Sequence, residues 1–308
     1  MPQHHFLPDR ALAALILLAA TVPSPGVAQS LDEAWQRCEN RNGSFRRDAV
    51  IAGCTQAIQA GRDTPANLAQ AYVRRAAARD EAGLFDEALA DFAVAISLNP
   101  KDAFIFLNRG IAYNRRRQHE AAIRDFDAAL RLNPRFEPAF NNRGSAYADL
   151  RQYDRALEDF DQALRLNPNY GLAHFNRGLA LRDKGDPQAA LQALTEAIRL
   201  TPNHVAAYNA RGGIFAGLGD HGRAIEDFDK AIQINPGYAS AYNNRGVSYK
   251  ARSQPEQALR EFETALRLDP NFVGALRNRG TLLIEMGQAT AGQADLDRAQ
   301  QLEAGTQR

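Results

Sequence analysis

The sequence is poor in several residue types that mark particular protein classes: its 308 residues include two cysteines, one tryptophan and two methionines. Two cysteines allow one bridge but exclude a disulfide-rich miniprotein. The 37 basic and 36 acidic side chains leave a net charge of +1, which gives no electrostatic basis for binding nucleic acid or an anionic membrane. The six histidines are scattered, without metal-ligand spacing beyond the neighbours His4 and His5. We therefore expect no nucleic acid partner, no metal and no cofactor.

The sequence also lacks an apolar segment of about 20 residues, the length that a bilayer-spanning helix needs. Its apolar run near the start, ALAALILLAATV at 11–22, is shorter. It is followed by Pro23, Pro25 and a small-residue sequence that ends at Ala28. This order is typical of a secretory signal peptide. We predict that residues 1–28 are a signal peptide, that the mature protein is periplasmic or secreted, and that it does not insert into a membrane.

Most of the remaining chain is a repeat with a period of 34 residues. In the copy 103–136, three residues at helical i, i+4, i+7 spacing are followed by a polar turn and by a second such set. The first set is Phe106, Gly110 and Tyr113, and the second is Ala122, Phe126 and Ala129, before a helix-ending Pro134. Each copy is therefore predicted to be an antiparallel pair of helices. The glycine recurs as Gly144, Gly178, Gly212, Gly246 and Gly280.

With an aromatic, Gly, an aromatic, Ala, Phe, Ala and Pro in this order, the sequence resembles the tetratricopeptide repeat family. The resemblance implies an all-α fold, a right-handed solenoid of antiparallel helical hairpins, and it favours an exported bacterial protein. We predict seven copies over 69–306, followed by a tail at 307–308. Residues 29–68 are predicted to form a degenerate N-terminal capping hairpin.

The large apolar residue that the family usually carries before the glycine is an arginine here. Arg109 lies eight residues before residue 117, in the turn, and Asp125 lies eight residues after it, so the two should face each other. We predict that such pairs are structural, with the guanidinium held by the carboxylate. Arg177 is the exception, because Ala193 occupies the acid position; it would capture an outside carboxylate or reach Glu196. The predicted pairs are Arg75–Asp91, Arg109–Asp125, Arg143–Asp159, Arg211–Asp227, Arg245–Glu261 and Arg279–Asp295.

The two cysteines follow the same rule of equal distance from a turn. Cys38 and Cys54 each lie eight residues from Arg46, in the middle of a turn that Asn42 and Gly43 open. A hairpin then places them opposite each other, and an oxidising compartment permits the bond. We predict a Cys38–Cys54 disulfide, with two buried free thiols as the alternative.

One segment, GLGDHG at 217–222, matches the pattern of a dinucleotide-binding loop. That loop needs a preceding strand and a helix whose N-terminal amides hold phosphate, whereas this segment falls in the predicted turn of the copy 205–238. Turn glycines explain it better. The sequence contains no Ser/His/Asp arrangement and no P-loop, and the repeats leave no room for a catalytic domain. We therefore predict that the protein is not an enzyme.

An asparagine precedes most of the column arginines. On its helix Asn108 lies about 200° from the buried Phe106, so it faces away from the core of its own hairpin. A column of amides can both donate to and accept from the backbone of an extended peptide. The resemblance implies a similar asparagine ladder, known from the superhelices of glycosyltransferases. The alternative is that the asparagines bond the neighbouring hairpin and set its packing. The predicted peptide-binding residues are Asn108, Asn142, Asn176, Asn244 and Asn278, with Phe104, Leu107, Ile111, Asn141, Phe175, Asn209 and Asn243 on the same stripe.

These features together predict a non-enzymatic scaffold that binds a protein or an extended peptide. Repeat arrays of this kind expose a concave surface lined by the first helix of every hairpin, and we expect binding there. One alternative is an architectural subunit of an envelope assembly complex that docks by its convex face or its termini. The other is a regulator, or an enzyme, of cell-wall or glycan chemistry.

Overall fold

The computed structural model describes residues 25–40, 42–61 and 63–306, with side chains from Ser30 to Gly305. These residues form α-helices and no strand, and the fold is an all-α helical-repeat solenoid. No helix in this part of the chain is both long and apolar enough to cross a bilayer. The predicted signal peptide lies outside the described residues except for 25–28, which begin the first helix, and the predicted tail at 307–308 lies outside them too. The chain divides into two compact units, Met1–Leu98 and Asn99–Arg308.

The first unit contains two helical hairpins. Its helices are α1 (Pro25–Glu39), α2 (Arg47–Ala60), α3 (Pro65–Glu81) and α4 (Phe85–Leu98). Cys38 on α1 and Cys54 on α2 form a disulfide with a Cα–Cα distance of 4.5 Å, so the predicted bond is confirmed. Both cysteines are buried with residues of α3, and Trp35 packs against this cluster. The disulfide therefore ties the two helices of the first hairpin together beneath α3.

The second unit contains six hairpins. In each, the first helix packs on the second, and the second packs on the first helix of the next hairpin. The helices are α5 (Ala103–Arg115), α6 (His119–Leu132), α7 (Glu137–Asp149), α8 (Tyr153–Leu166), α9 (Gly171–Lys184), α10 (Pro187–Leu200), α11 (Val205–Gly217), α12 (His221–Ile234), α13 (Ala239–Ala251), α14 (Pro255–Leu268), α15 (Val273–Glu285) and α16 (Ala289–Thr306).

The repeated glycine marks the closest approach of the two helices in a hairpin. A Cβ added at Gly110 would lie 2.6 Å from Cε1 of Phe126, and one added at Gly144 would lie 2.8 Å from Cε1 of Phe160. Real Cβ atoms do not tolerate such distances, so the position requires glycine. The phenylalanine rings are fully buried against it, which explains why the glycine and the aromatic recur together.

The turn inside each hairpin requires a left-handed backbone. Gly219 has φ 81°, and the equivalent Arg117, Arg151 and Ser253 adopt φ 57–58°. Glycine enters this conformation without steric cost. The GLGDHG segment ends α11, makes this turn and begins α12, so its glycines serve a helix–helix connection.

Candidate functional site

The second unit is curved, with its first helices on the concave side. First helices of neighbouring hairpins contact one another, whereas each second helix contacts only the helices before and after it in the chain. The first helices therefore lie closer to one another than the second helices do, which makes their side concave. We name the surface formed by α5, α7, α9, α11, α13 and α15 the inner face. It carries the asparagine stripe.

The column arginines point away from this surface, toward the second helices. Five of them donate from Nε and Nη2 to the carboxylate that lies 16 residues later, at 2.7–3.0 Å. Such two-pronged pairs fix the geometry of both partners. The contacts support the structural role that we propose for the column. The pairs are Arg109–Asp125, Arg143–Asp159, Arg211–Asp227, Arg245–Glu261 and Arg279–Asp295.

Several of these arginines also reach back to the preceding hairpin. Arg143 Nη1 donates to Asp127 Oδ1 at 2.5 Å, and Arg211 Nη1 donates to Thr195 Oγ1 at 3.0 Å. Burial alone would lower the pKa of Arg143, but its bonds to Asp159 and Asp127 raise that pKa further above the ordinary value. Each such arginine therefore connects three helices and is charged at any ordinary pH.

The prediction that Arg177 has no partner within the protein, or only Glu196, is wrong. Its Nε donates to Asp161 Oδ1 at 2.8 Å, so it has a carboxylate partner within the protein. Glu196 bonds Arg199 on its own helix instead. The physical reason is that Asp161 lies on the second helix of the preceding hairpin, which the stacking brings within reach. Counting residues from a turn identifies partners only within one hairpin.

The asparagine column bonds within the protein in two ways. Where the preceding first helix offers an asparagine 35 residues earlier, the side-chain amide crosses to it, as Asn176 Nδ2 does to Asn141 Oδ1 at 3.0 Å. Where that residue is Leu107, Asn142 Nδ2 donates instead to the carbonyl of Pro138 on its own helix at 2.8 Å. The crossing bonds favour the packing alternative for three positions. They are Asn176–Asn141, Asn244–Asn209 and Asn278–Asn243, while Asn108 bonds the carbonyl of Phe104.

The difference between Asn142 and Asn176 gives a testable consequence. Replacing asparagine by alanine raises the helix propensity equally at both positions, but only Asn176→Ala removes hydrogen bonds between hairpins, those to Asn141 and Ser145. We expect Asn176→Ala to lower the free energy of unfolding by about 1 kcal/mol more than Asn142→Ala. Urea unfolding followed by circular dichroism measures the difference. Equal values for the two variants would mean that the crossing amide contributes nothing to stacking.

Three residues predicted to bind peptide are too buried to do so. Leu107, Asn141 and Asn243 are exposed by only 6%, 2% and 7%. The prediction was wrong because the neighbouring first helix covers this position of the stripe. By contrast, Phe104 is 56% exposed and contacts Phe136 edge-on, with ring centroids 4.7 Å apart. The remaining accessible positions are Ile111, Phe175, Asn209 and the five column asparagines, all of them half-buried.

A recess on the inner face that involves predicted residues is centred on α11. We name it the α11 trough, and its volume is about 380 Å³. Its floor is formed by small residues of α11, one wall by apolar residues of α9, and the other side by amides of α11 and α13. The lining residues are Phe175, Leu179, Arg182, Ala206, Asn209, Ala210, Gly213, Tyr238 and Asn244.

A column of rings immediately precedes five of the six first helices and was not predicted from the sequence. Tyr238 lines the α11 trough, and His204 packs on Phe175 with ring centroids 4.5 Å apart. Burial lowers the pKa of His204, whose Nδ1 accepts from the amide of Ala207. The signal was available, because the rings share the 34-residue period. The column is Phe136, Tyr170, His204, Tyr238 and Phe272.

Comparison with known proteins places the repeats in one family. A family profile described as tetratricopeptide repeat matches residues 73–135, 141–203 and 180–239. A second profile with the same description matches residues 239–272. Together the matches cover well over half of the chain. A comparison with curated proteins gives no match.

Two solved structures show the same fold, and a third is similar in sequence. A tetratricopeptide repeat protein from Parabacteroides merdae ATCC 43184 is 22% identical, with a TM-score of 0.64 over 83% of this chain and 99% of that one. The APC/C heterotetramer Cut9–Hcn1 is 18% identical, with a TM-score of 0.65 over 91% of this chain and 54% of that one. YrrB, a repeat protein described as having an unusual peptide-binding site, is 29% identical, with a TM-score of 0.48 over 60% of this chain and 95% of that one.

Proposed function

Because this chain belongs to the tetratricopeptide repeat family, we propose that it is a non-enzymatic scaffold that binds an extended polypeptide on its inner face. The observation that carries the proposal is the α11 trough, which opens on this face and spans three consecutive first helices. Apolar and amide groups stand side by side in it, as recognition of a peptide's side chains and backbone requires.

The compartment that we propose is the periplasm or the secreted fraction. The Cys38–Cys54 disulfide supports it, because disulfides persist in oxidising compartments and are rare in the cytoplasm. The short apolar run at 11–22, followed by prolines and small residues, supports it independently.

Inner-face binding can be tested with a phage-displayed library of random 12-residue peptides selected on the purified protein. Val247 and Thr281 occupy the position of Gly213 on α13 and α15, and both are exposed. In the Val247→Arg/Thr281→Arg variant we expect capture of the selected phage to fall about tenfold or more, because two long cations obstruct the face. Phage recovery and the Kd of synthetic peptides measure the effect.

The matched control is Gln162→Arg/Gln192→Arg, which adds the same charge at exposed positions of the second helices α8 and α10. Its capture of phage is expected to equal that of the parent protein. If the control variant loses binding and the inner-face variant keeps it, the partner docks on the convex side instead.

A further inference from the structure

The α11 trough exists because α11 differs from the other first helices of its unit. At the position of Ala210 the five others carry asparagine. At the position of Gly213 four of the five carry larger residues than serine, among them Leu179 and Val247. A Cβ added at Gly213 would meet no atom within 4 Å, so the space above the helix is open. The substitution pattern therefore removes side-chain volume at one place on the inner face.

One wall of the trough is apolar, and the charged residue that lines the trough has an acidic partner. Phe175 and Leu179 stand one helical turn apart on α9 and are half-buried. Arg182 is the one charged residue among those that line the trough, and its Nε donates to Asp183 Oδ1 at 2.7 Å. Beyond the trough, Lys250 on α13 is paired with Glu285 at 2.8 Å. A charged ligand group would therefore lose water here without gaining a free counter-charge.

Asn209 offers a polar group of the trough to a ligand. Asn209 uses its Oδ1 to accept from Asn244 Nδ2 at 3.0 Å, which fixes the orientation of the Asn209 amide. Its Nδ2 makes no hydrogen bond to the part of the chain that the structure describes. An amide N–H in this place matches the carbonyl oxygen of a peptide backbone.

We propose that the α11 trough receives one bulky uncharged side chain, aliphatic or aromatic, from an uncharged extended segment of the partner. That side chain packs on Phe175 and Leu179 above Gly213, and a neighbouring backbone carbonyl accepts from Asn209 Nδ2. The inference rests on the proposed function, because it names the kind of peptide that the inner face selects.

The same phage selection tests this specificity. The enriched peptides are expected to carry little net charge and to share one Leu, Ile, Met or Phe. In a synthetic peptide of an enriched sequence, changing that residue to alanine is expected to raise Kd about tenfold or more, because its apolar contact is lost. Raising the salt from about 50 to about 500 mM is expected to change Kd less than about twofold, because no free charges are paired on binding.

Two glycine variants on one helix locate the contact. Gly213→Leu fills the trough, whereas Gly217→Leu makes the same change at a helical position that is also open and does not line the trough. Gly213→Leu is expected to weaken binding of the parent peptide about tenfold or more, and Gly217→Leu to leave Kd within about twofold. The peptide whose bulky residue is changed to alanine should bind the parent protein and Gly213→Leu with the same Kd. Both changes remove the same contact, that of the bulky side chain in the trough.

The outcomes separate the two proposals. Strongly charged peptides, or unchanged binding to Gly213→Leu, would overturn the trough as a specificity pocket, while sensitivity to Val247→Arg/Thr281→Arg would still support inner-face binding. A selection that enriches nothing, or peptides indifferent to the inner-face variant, would defeat the proposed function itself.

Discussion

The Arg143→Leu variant is expected to lose about 3–5 kcal/mol of its free energy of unfolding. In the parent protein the Asp159 side chain is 6% exposed and accepts two hydrogen bonds from Arg143, at 2.8 and 2.7 Å. Leucine replaces much of the arginine stem but leaves this carboxylate buried without its cation. Urea unfolding monitored by circular dichroism measures the loss.

The loss is also expected to depend on pH. Burial raises the pKa of Asp159 above its ordinary value, against the lowering effect of Arg143. Without Arg143 the pKa of Asp159 rises further, and protonation relieves the isolated charge. A group whose pKa is raised on folding favours the folded state at low pH and loses that contribution as pH rises through the folded pKa. The difference between parent and Arg143→Leu should therefore be largest at neutral pH and smaller in acid.

The chain provides its own control for this prediction at Arg177. Arg177 stands in the same column, but Ala193 faces it and its partner Asp161 is 43% exposed, so Arg177→Leu strands no buried carboxylate. We expect a clearly smaller loss for Arg177→Leu than for Arg143→Leu. Equal losses would show that packing of the arginine stem, and not the isolated carboxylate, determines the effect. The double variant Arg143→Leu/Asp159→Ala should recover part of the stability by removing the stranded charge.

The sequence predicts what lies inside one hairpin, because a hairpin is nearly symmetric about its turn. Counting outward from the turn pairs Arg109 with Asp125 and Cys38 with Cys54, and the structure brings both pairs together. The period of 34 residues likewise predicts the fold of paired helices, and the structure packs Gly110 of the first helix against Phe126 of the second. These predictions need only helical geometry and the position of one turn.

Contacts between hairpins could not be predicted in this way, because they depend on the offset and rotation of successive hairpins. The bond from Arg177 to Asp161 and the burial of Asn141 both arise there. Helical periodicity placed Asn141 on the predicted stripe, but it did not predict the overlap of the neighbouring helix. The α11 trough has the same origin. Ala210 and Gly213 are visible in the sequence, whereas the apolar wall across from them appears only when α9 is in place.

Removal of the Cys38–Cys54 disulfide is expected to destabilise the first unit by about 3 kcal/mol, because the bond closes a loop with a sequence separation of 16. The variant is Cys38→Ala/Cys54→Ala. The chain's single tryptophan, Trp35, packs on the cluster that holds both cysteines, so its fluorescence reports unfolding of this unit. The second unit contains no tryptophan and adds no signal.

The control for the disulfide separates the covalent link from packing. Both cysteines are at most 1% exposed, so alanine also removes buried atoms. The double variant is therefore compared with the parent protein in oxidising buffer and again after full reduction in denaturant. If the covalent link stabilises the unit, the free energy of unfolding of the variant will be well below that of the oxidised parent and close to that of the reduced parent. If the variant is less stable than the reduced parent by as much as it is less stable than the oxidised parent, the loss comes from packing alone. Two thiols open to alkylation in the native protein would remove the support that the bond gives to the proposed oxidising compartment.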